Sequence, residues 1–90
     1  MSKVAENLIK NHVRNGRIEL AVKLCIMQNL ENGKGFFIGN ASAYAAGFGI
    51  SSHQFAGGLS ALKAKGEYRP SDDPEFDGHF GYLILPRDNA

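Results

Sequence analysis

The chain has 90 residues, of which 43% are hydrophobic and 21% charged, and its formal net charge is +1. That length holds one domain with a modest core, and the composition is that of a folded globular protein rather than a disordered one. No apolar run is long enough to span a bilayer, and a single cysteine cannot close an internal disulfide, which suits a reducing cytoplasm.

The small net charge hides a split. Residues 1–66 carry eight Lys or Arg against three Glu, whereas residues 67–90 carry two Arg against six acidic residues. A basic body with an acidic end bears on partners, not on fold. Lys3, Glu6, Lys10 and Arg14 near the N-terminus do not read as a signal peptide.

Residues 3–14 predict a helix. Val4, Leu8, Ile9 and Val13 share a broad apolar face, and Lys3, Asn7, Lys10 and Arg14 stack in a narrow stripe away from it. Such a stripe is ordinarily a solvated surface; beside a DNA-binding motif it is a row of phosphate contacts. Asn15-Gly16 ends the helix. A second helix is expected over residues 17–31, apolar on two sides: Ile18, Val22, Cys25 and Ile26 on one, Leu20, Leu24 and Met27 on the other. The expected arrangement packs one side on the later helices and the other on the first helix. The alternative is a homodimer through one of them. Cys25, on an apolar side, reads as core rather than nucleophile.

Asn32-Gly33-Lys34-Gly35 predicts a turn and Phe36-Phe37-Ile38 a short strand. The turn lacks the spacing and the Lys-Ser/Thr pair of a phosphate loop. Asn40 or Ser42 is the expected cap of the next helix. From residue 43 to residue 68 the pattern is two short helices joined by a tight turn, the second running into a strand. Gly49 supplies a positive φ at the break. Ser51 and Gln54 form a capping-box pattern, Phe55, Leu59 and Leu62 share one buried face, and Gly66 closes the helix. Residues 67–69 and 80–85 then predict a β-hairpin around a long acidic loop, with Pro86 as its stop.

Other chemistries fail on spacing. The run from Asp73 to Gly78 imitates the start of a calcium loop, but the closing Glu position is Ile84. His12, His53 and His79 are far apart and one Cys makes no zinc cluster, so no metal site is assigned. No catalytic residue and no cofactor site can be assigned either, and the protein is not expected to be an enzyme.

Gly49-Ile50-Ser51, then Phe55, Leu59, Leu62 and Gly66, match the spacing of winged helix-turn-helix domains, and residues 32–37 look like the small strand that enters them. The chain resembles this family, of the kind found in phage and plasmid replication and regulatory proteins, over about residues 32 to 85. The resemblance implies an α+β fold: N-terminal helices, a helix-turn-helix and a C-terminal β-hairpin wing, as one domain over residues 1–90, with residues 1–14 as an added helix and 86–90 as a tail. It implies double-stranded DNA as partner. Helix 51–65 would lie in the major groove, with Ser51, Ser52, His53 and Gln54 at its leading end, Gly57 and Ser60 allowing close approach, and Lys63, Lys65, Lys3, Lys10 and Arg14 on phosphates.

Two departures stand out. Positions 52–62 hold no Lys or Arg, and the wing carries Asp72, Asp73, Glu75 and Asp77, which phosphate repels. They favour an alternative: a protein-interaction module, an inhibitor or adaptor of a nucleic-acid machine, docking a host protein through Asp72, Asp73, Glu75, Phe76 and Asp77 and the small-residue helix face.

Overall fold

The computed structural model describes residues 3–31, 35–76 and 78–84. In chain order the elements are α1 (Lys3–Arg14), α2 (Ile18–Met27), β1 (Phe36–Phe37), α3 (Ile38–Ala46), α4 (Ser52–Ala64), β2 (Tyr68–Pro70) and β3 (Phe80–Leu83). This is an α+β fold: two helices, the short strand β1, a helix-turn-helix pair α3–α4 and then a C-terminal hairpin. The expected turn at residues 32–34, Asp77, the last strand position Leu85 and the tail at 86–90 lie outside the described residues.

The helix α2 is the hub. Ala21, Val22, Cys25 and Ile26 are fully buried, and α1, α3 and α4 all pack on it. Ile9 comes from α1, Ala41 and Ala45 from α3, and Phe55 and Leu62 from α4, to complete one core. Burial removes the Cys25 thiol from reactivity by pushing its pKa up to about 11. The crossing of α2 and α4 is close because residue 58 is glycine: a Cβ there would sit 2.7 Å from Cγ2 of Val22. The helix then ends at Gly66, in the left-handed region at φ 77°, where the Glu67 N–H donates to the Leu62 carbonyl at 2.8 Å.

β3 is the central strand of an antiparallel sheet ordered β1-β3-β2. Phe36 faces Gly81 and Phe37 faces Phe80; on the other side Tyr68, Arg69 and Pro70 face Leu83, Tyr82 and Gly81. Side chains alternate across a strand. Phe36 and Tyr68 therefore point into the core, their ring centroids 5.7 Å apart, while Phe37, Arg69, Phe80 and Tyr82 share the outer face.

Three expectations need correction. The third helix begins at Ile38, not at Asn40 or Ser42, and its N-cap is Phe37 with no side-chain cap. The residue before β3 does the capping: the Ile38 N–H donates to the carbonyl of His79 at 3.0 Å, so no Asn or Ser is needed. Strand β1 is correspondingly only two residues long. The second helix stops at Met27, several residues early, where the Asn29 side chain donates to the carbonyl of Cys25 at 2.8 Å and closes the last turn. Finally, the second apolar side of α2 does not pack fully against α1, since Leu20 is 44% and Met27 38% exposed.

Candidate nucleic-acid interface

The leading end of α4 is fixed by its own sequence. Ser51 stands in extended backbone at φ −69°, ψ 163°. Its Oγ accepts from the Gln54 N–H at 3.0 Å, and Oε1 of Gln54 accepts from the Ser51 N–H at 2.9 Å. The capping box read from Ser51 and Gln54 is thus closed, and two otherwise unpaired N–H groups are satisfied. A bidentate contact to adenine uses the amide oxygen as well as the nitrogen. Gln54 must give up its bond to Ser51 to read a base that way.

Around α4 the residues divide into two sides. Phe55, Gly58 and Leu62 are buried, with Leu59 half-buried against the core. Ser52, His53, Gln54, Ala56, Gly57, Ser60, Lys63 and Ala64 are exposed. A Cβ placed on Gly57 would meet nothing within 4 Å, so packing within the described residues does not explain that glycine. The outer side is smooth, with small side chains interrupted by His53, Gln54 and Lys63. The helix N-terminus adds partial positive charge at Ser52 and His53.

The cations are less concentrated than the sequence suggests. Lys65 is bound to Glu19 of α2, which pushes its ammonium pKa above the usual lysine range. Lys63 is exposed at the trailing end of α4. Lys3, Lys10 and Arg14 are exposed on α1, which α2 carries. A second ion pair, Lys23 to Glu67 at 2.8 Å, holds the start of the hairpin to α2 and draws the Glu67 carboxyl below its usual range. Both pairs brace α4 from behind.

The acidic loop is a built turn. Ser71 is buried; its Oγ accepts from the Asp73 N–H at 3.1 Å, and Oδ1 of Asp73 accepts from the Glu75 N–H at 2.9 Å. Asp72, Asp73 and Glu75 are exposed. Phe76 turns back onto the sheet, stacked on Phe80 at 4.7 Å and edge-on to Phe37 at 5.5 Å. Tyr82 continues the row at 5.4 Å from Phe80, and the Arg69 guanidinium lies 5.5 Å from the Tyr82 ring centroid. Sequence reasoning missed Phe37, Tyr82 and Arg69 as members of this surface, because only the strand register brings them together.

Among the described residues no group of three His, Cys, Asp or Glu could hold a metal, and no helix is long and apolar enough to cross a membrane. No family model matches the chain, and neither a curated protein nor a solved structure matches it.

Proposed function

We propose that the protein is a phage- or plasmid-type DNA-binding regulator of the winged helix-turn-helix kind, acting in the cytoplasm. The observation that carries this reading is the state of α4. Its outer side is uncovered and nearly free of bulk, while its inner side is locked to α2 at Gly58 and Val22. A rigid helix with small outward side chains can lie deep in a major groove. Ser52 and His53 then read base edges at the leading end, with Ser51 and Gln54 setting the helix start. Lys63, Lys3, Lys10 and Arg14 supply phosphate contacts, joined by Lys65 if Glu19 releases it. With so few cations, affinity rests on few phosphates and falls with salt by a correspondingly shallow slope. The acidic loop has to lie away from the backbone.

Gel-shift assays at low salt on a random-sequence duplex pool test the reading. Binding is expected, with sequence preference relaxed by His53→Ala. No shifted species at the lowest salt removes the proposal.

One observation favours a second reading, a protein-interaction module. The half-buried rings of Phe37, Phe76 and Tyr82, packed around buried Phe80 beside exposed Asp72, Asp73 and Glu75, make a surface of rings and carboxylates suited to a basic patch on a host protein. Reversing the charges at Asp72, Asp73, Glu75 and Asp77 should then abolish capture of that partner, with nuclease present. Capture unchanged by the reversal counts against this reading.

A further inference from the structure

We propose that the acidic loop between β2 and β3 is a strap on the helix-turn-helix: its described residues, 71–76 and 78–79, open and close together with the first turn of α3. That turn has little to hold it from within. The first N–H groups of a helix find no partner inside it, and Phe37, the N-cap of α3, provides no side-chain cap. The Ile38 N–H is held from outside, by the carbonyl of His79 at 3.0 Å. The next two residues, Gly39 and Asn40, are exposed, and glycine is a poor helix former. The start of α3 therefore leans on the loop.

The loop is a relay of hydrogen bonds that ends on that carbonyl. At its neck the Ser71 N–H donates to the Phe80 carbonyl at 2.8 Å. Oγ of Ser71 accepts from the Asp73 N–H at 3.1 Å. The Asp73 carbonyl accepts from the Phe76 N–H at 3.0 Å, and the Phe76 carbonyl from the His79 N–H at 2.8 Å. Each step spans only two or three residues, so displacing one link displaces the next. Phe76 ties the relay to α3 a second time. Its ring stands edge-on to Phe37, the N-cap residue, at 5.5 Å and stacks on Phe80 at 4.7 Å.

Little else holds the loop down. Ser71 is buried and Phe76 half-buried, while residues 72–75, 78 and 79 are exposed. A segment anchored by one ring, with most of its residues in water, belongs to the low-stability end of a domain. Helix α4 is held differently, by buried Phe55, Gly58 and Leu62 and by its own capping box. Buried Ala41 and Ala45 likewise fix the rest of α3. The shared opening thus stops after the first turn of α3, at residues 38–41. Whatever orders the loop orders that turn, and whatever pulls the loop open frays it.

Native-state hydrogen exchange of the full chain, with neither DNA nor a partner present, tests the proposal. In the wild type the Ile38, Phe76 and His79 amides should share one opening of small urea dependence, less protected than the amides of Cys25 and Leu62. Phe76→Ala should speed Ile38 and His79 alike, by about fivefold. Gly78→Ala reaches the same unit by another route. Gly78 has φ 81° with open space where a Cβ would stand, so the added methyl strains the loop backbone without touching a ring or the core. It should speed the same two amides together, and it decides the matter should Phe76→Ala fail to fold. An Ile38 amide that exchanges with Cys25 and Leu62 rather than with His79 overturns the proposal. So does either folded variant in which His79 quickens alone or neither amide quickens. Because no ligand takes part, failure here leaves both readings of the function standing.

Discussion

Helix α4 and the C-terminal hairpin are built on opposite plans. The helix buries its large side chains and leaves small ones outside: Phe55 and Leu62 are within, while Ala56, Gly57 and Ser60 are without. The sheet has large side chains on both faces, Phe36 and Tyr68 meeting on the inner one and half-buried Phe37, Phe76 and Tyr82 packed around buried Phe80 on the outer one. The outer side of the helix is low in bulk, and the outer face of the sheet carries rings beside carboxylates. A single domain thus carries two surfaces with different physical requirements, and they can be separated by mutation.

The largest expected effect comes from the two aromatic layers of the sheet. Phe36 is fully buried, so Phe36→Ala should lower stability by about 3–5 kcal/mol and leave little folded protein. Phe76 is only half-buried. Phe76→Ala removes a stacked and an edge-on contact and should lower stability by about 1 kcal/mol, leaving the fold intact. Urea denaturation of the two variants checks the contrast. If Phe76→Ala proves as damaging as Phe36→Ala, the outer cluster is a second core rather than a surface.

The sequence exposes some of this plan and hides the rest for a physical reason. Local chemistry is legible. The capping box at Ser51 and Gln54, the turn glycines Gly49 and Gly66 and the extent of α1 all follow from residues within a few positions of one another. Long-range pairing is not. Asn40 and Ser42 are good cap residues by type, yet α3 starts earlier because His79, the residue before β3 and some forty positions away, supplies the partner for Ile38. The outer cluster is hidden in the same way, since Phe37 and Phe80 become neighbours only through the β1–β3 register. The exposed stripe on α2 shows the converse: two apolar sides were visible, but not which of them the small domain could cover. On α4, the exposed side is legible from its small residues Ala56, Gly57 and Ser60.

Adjacent glycines sharpen the comparison within α4. Both cost helix stability, about 1 kcal/mol each relative to alanine, but for different reasons. At Gly58 an added methyl meets Cγ2 of Val22 at 2.7 Å and its Cβ at 2.9 Å. Valine is stiff at χ1 and this one is fully buried, so it cannot swing away. Gly58→Ala should destabilise by about 1–2 kcal/mol net, overpacking outweighing the propensity gained. Gly57 faces open space, so Gly57→Ala should stabilise by about 0.4–1 kcal/mol. Under the DNA-binding reading the same methyl holds α4 off the groove floor, so affinity should fall as the melting temperature rises. Melting curves and gel shifts on the one variant measure both. A more stable Gly57→Ala that binds DNA as well as the wild type would show that the outer side of α4 is not the contact surface.

The smallest effects concern how the hairpin and α4 are tied to α2, and they separate by pH. The Glu67 carboxyl is held below its usual range mainly by the hydrogen bond from Lys23. Its contribution to stability is therefore fully present above the ordinary carboxylate value and is lost as pH falls through the lower folded value. The Lys65 ammonium is held above its usual range mainly by its hydrogen bond to Glu19. That contribution is present below the ordinary lysine value and is lost as pH rises through the higher folded value. Both pairs are partly exposed, so each should shift the urea midpoint only slightly and less so in high salt. Lys23→Met should flatten the acid limb alone, and Glu19→Gln the alkaline limb alone. If Lys23→Met changed the alkaline limb instead, the two ties would act as one network joining hairpin, α4 and α2, and the two surfaces could no longer be treated as independent.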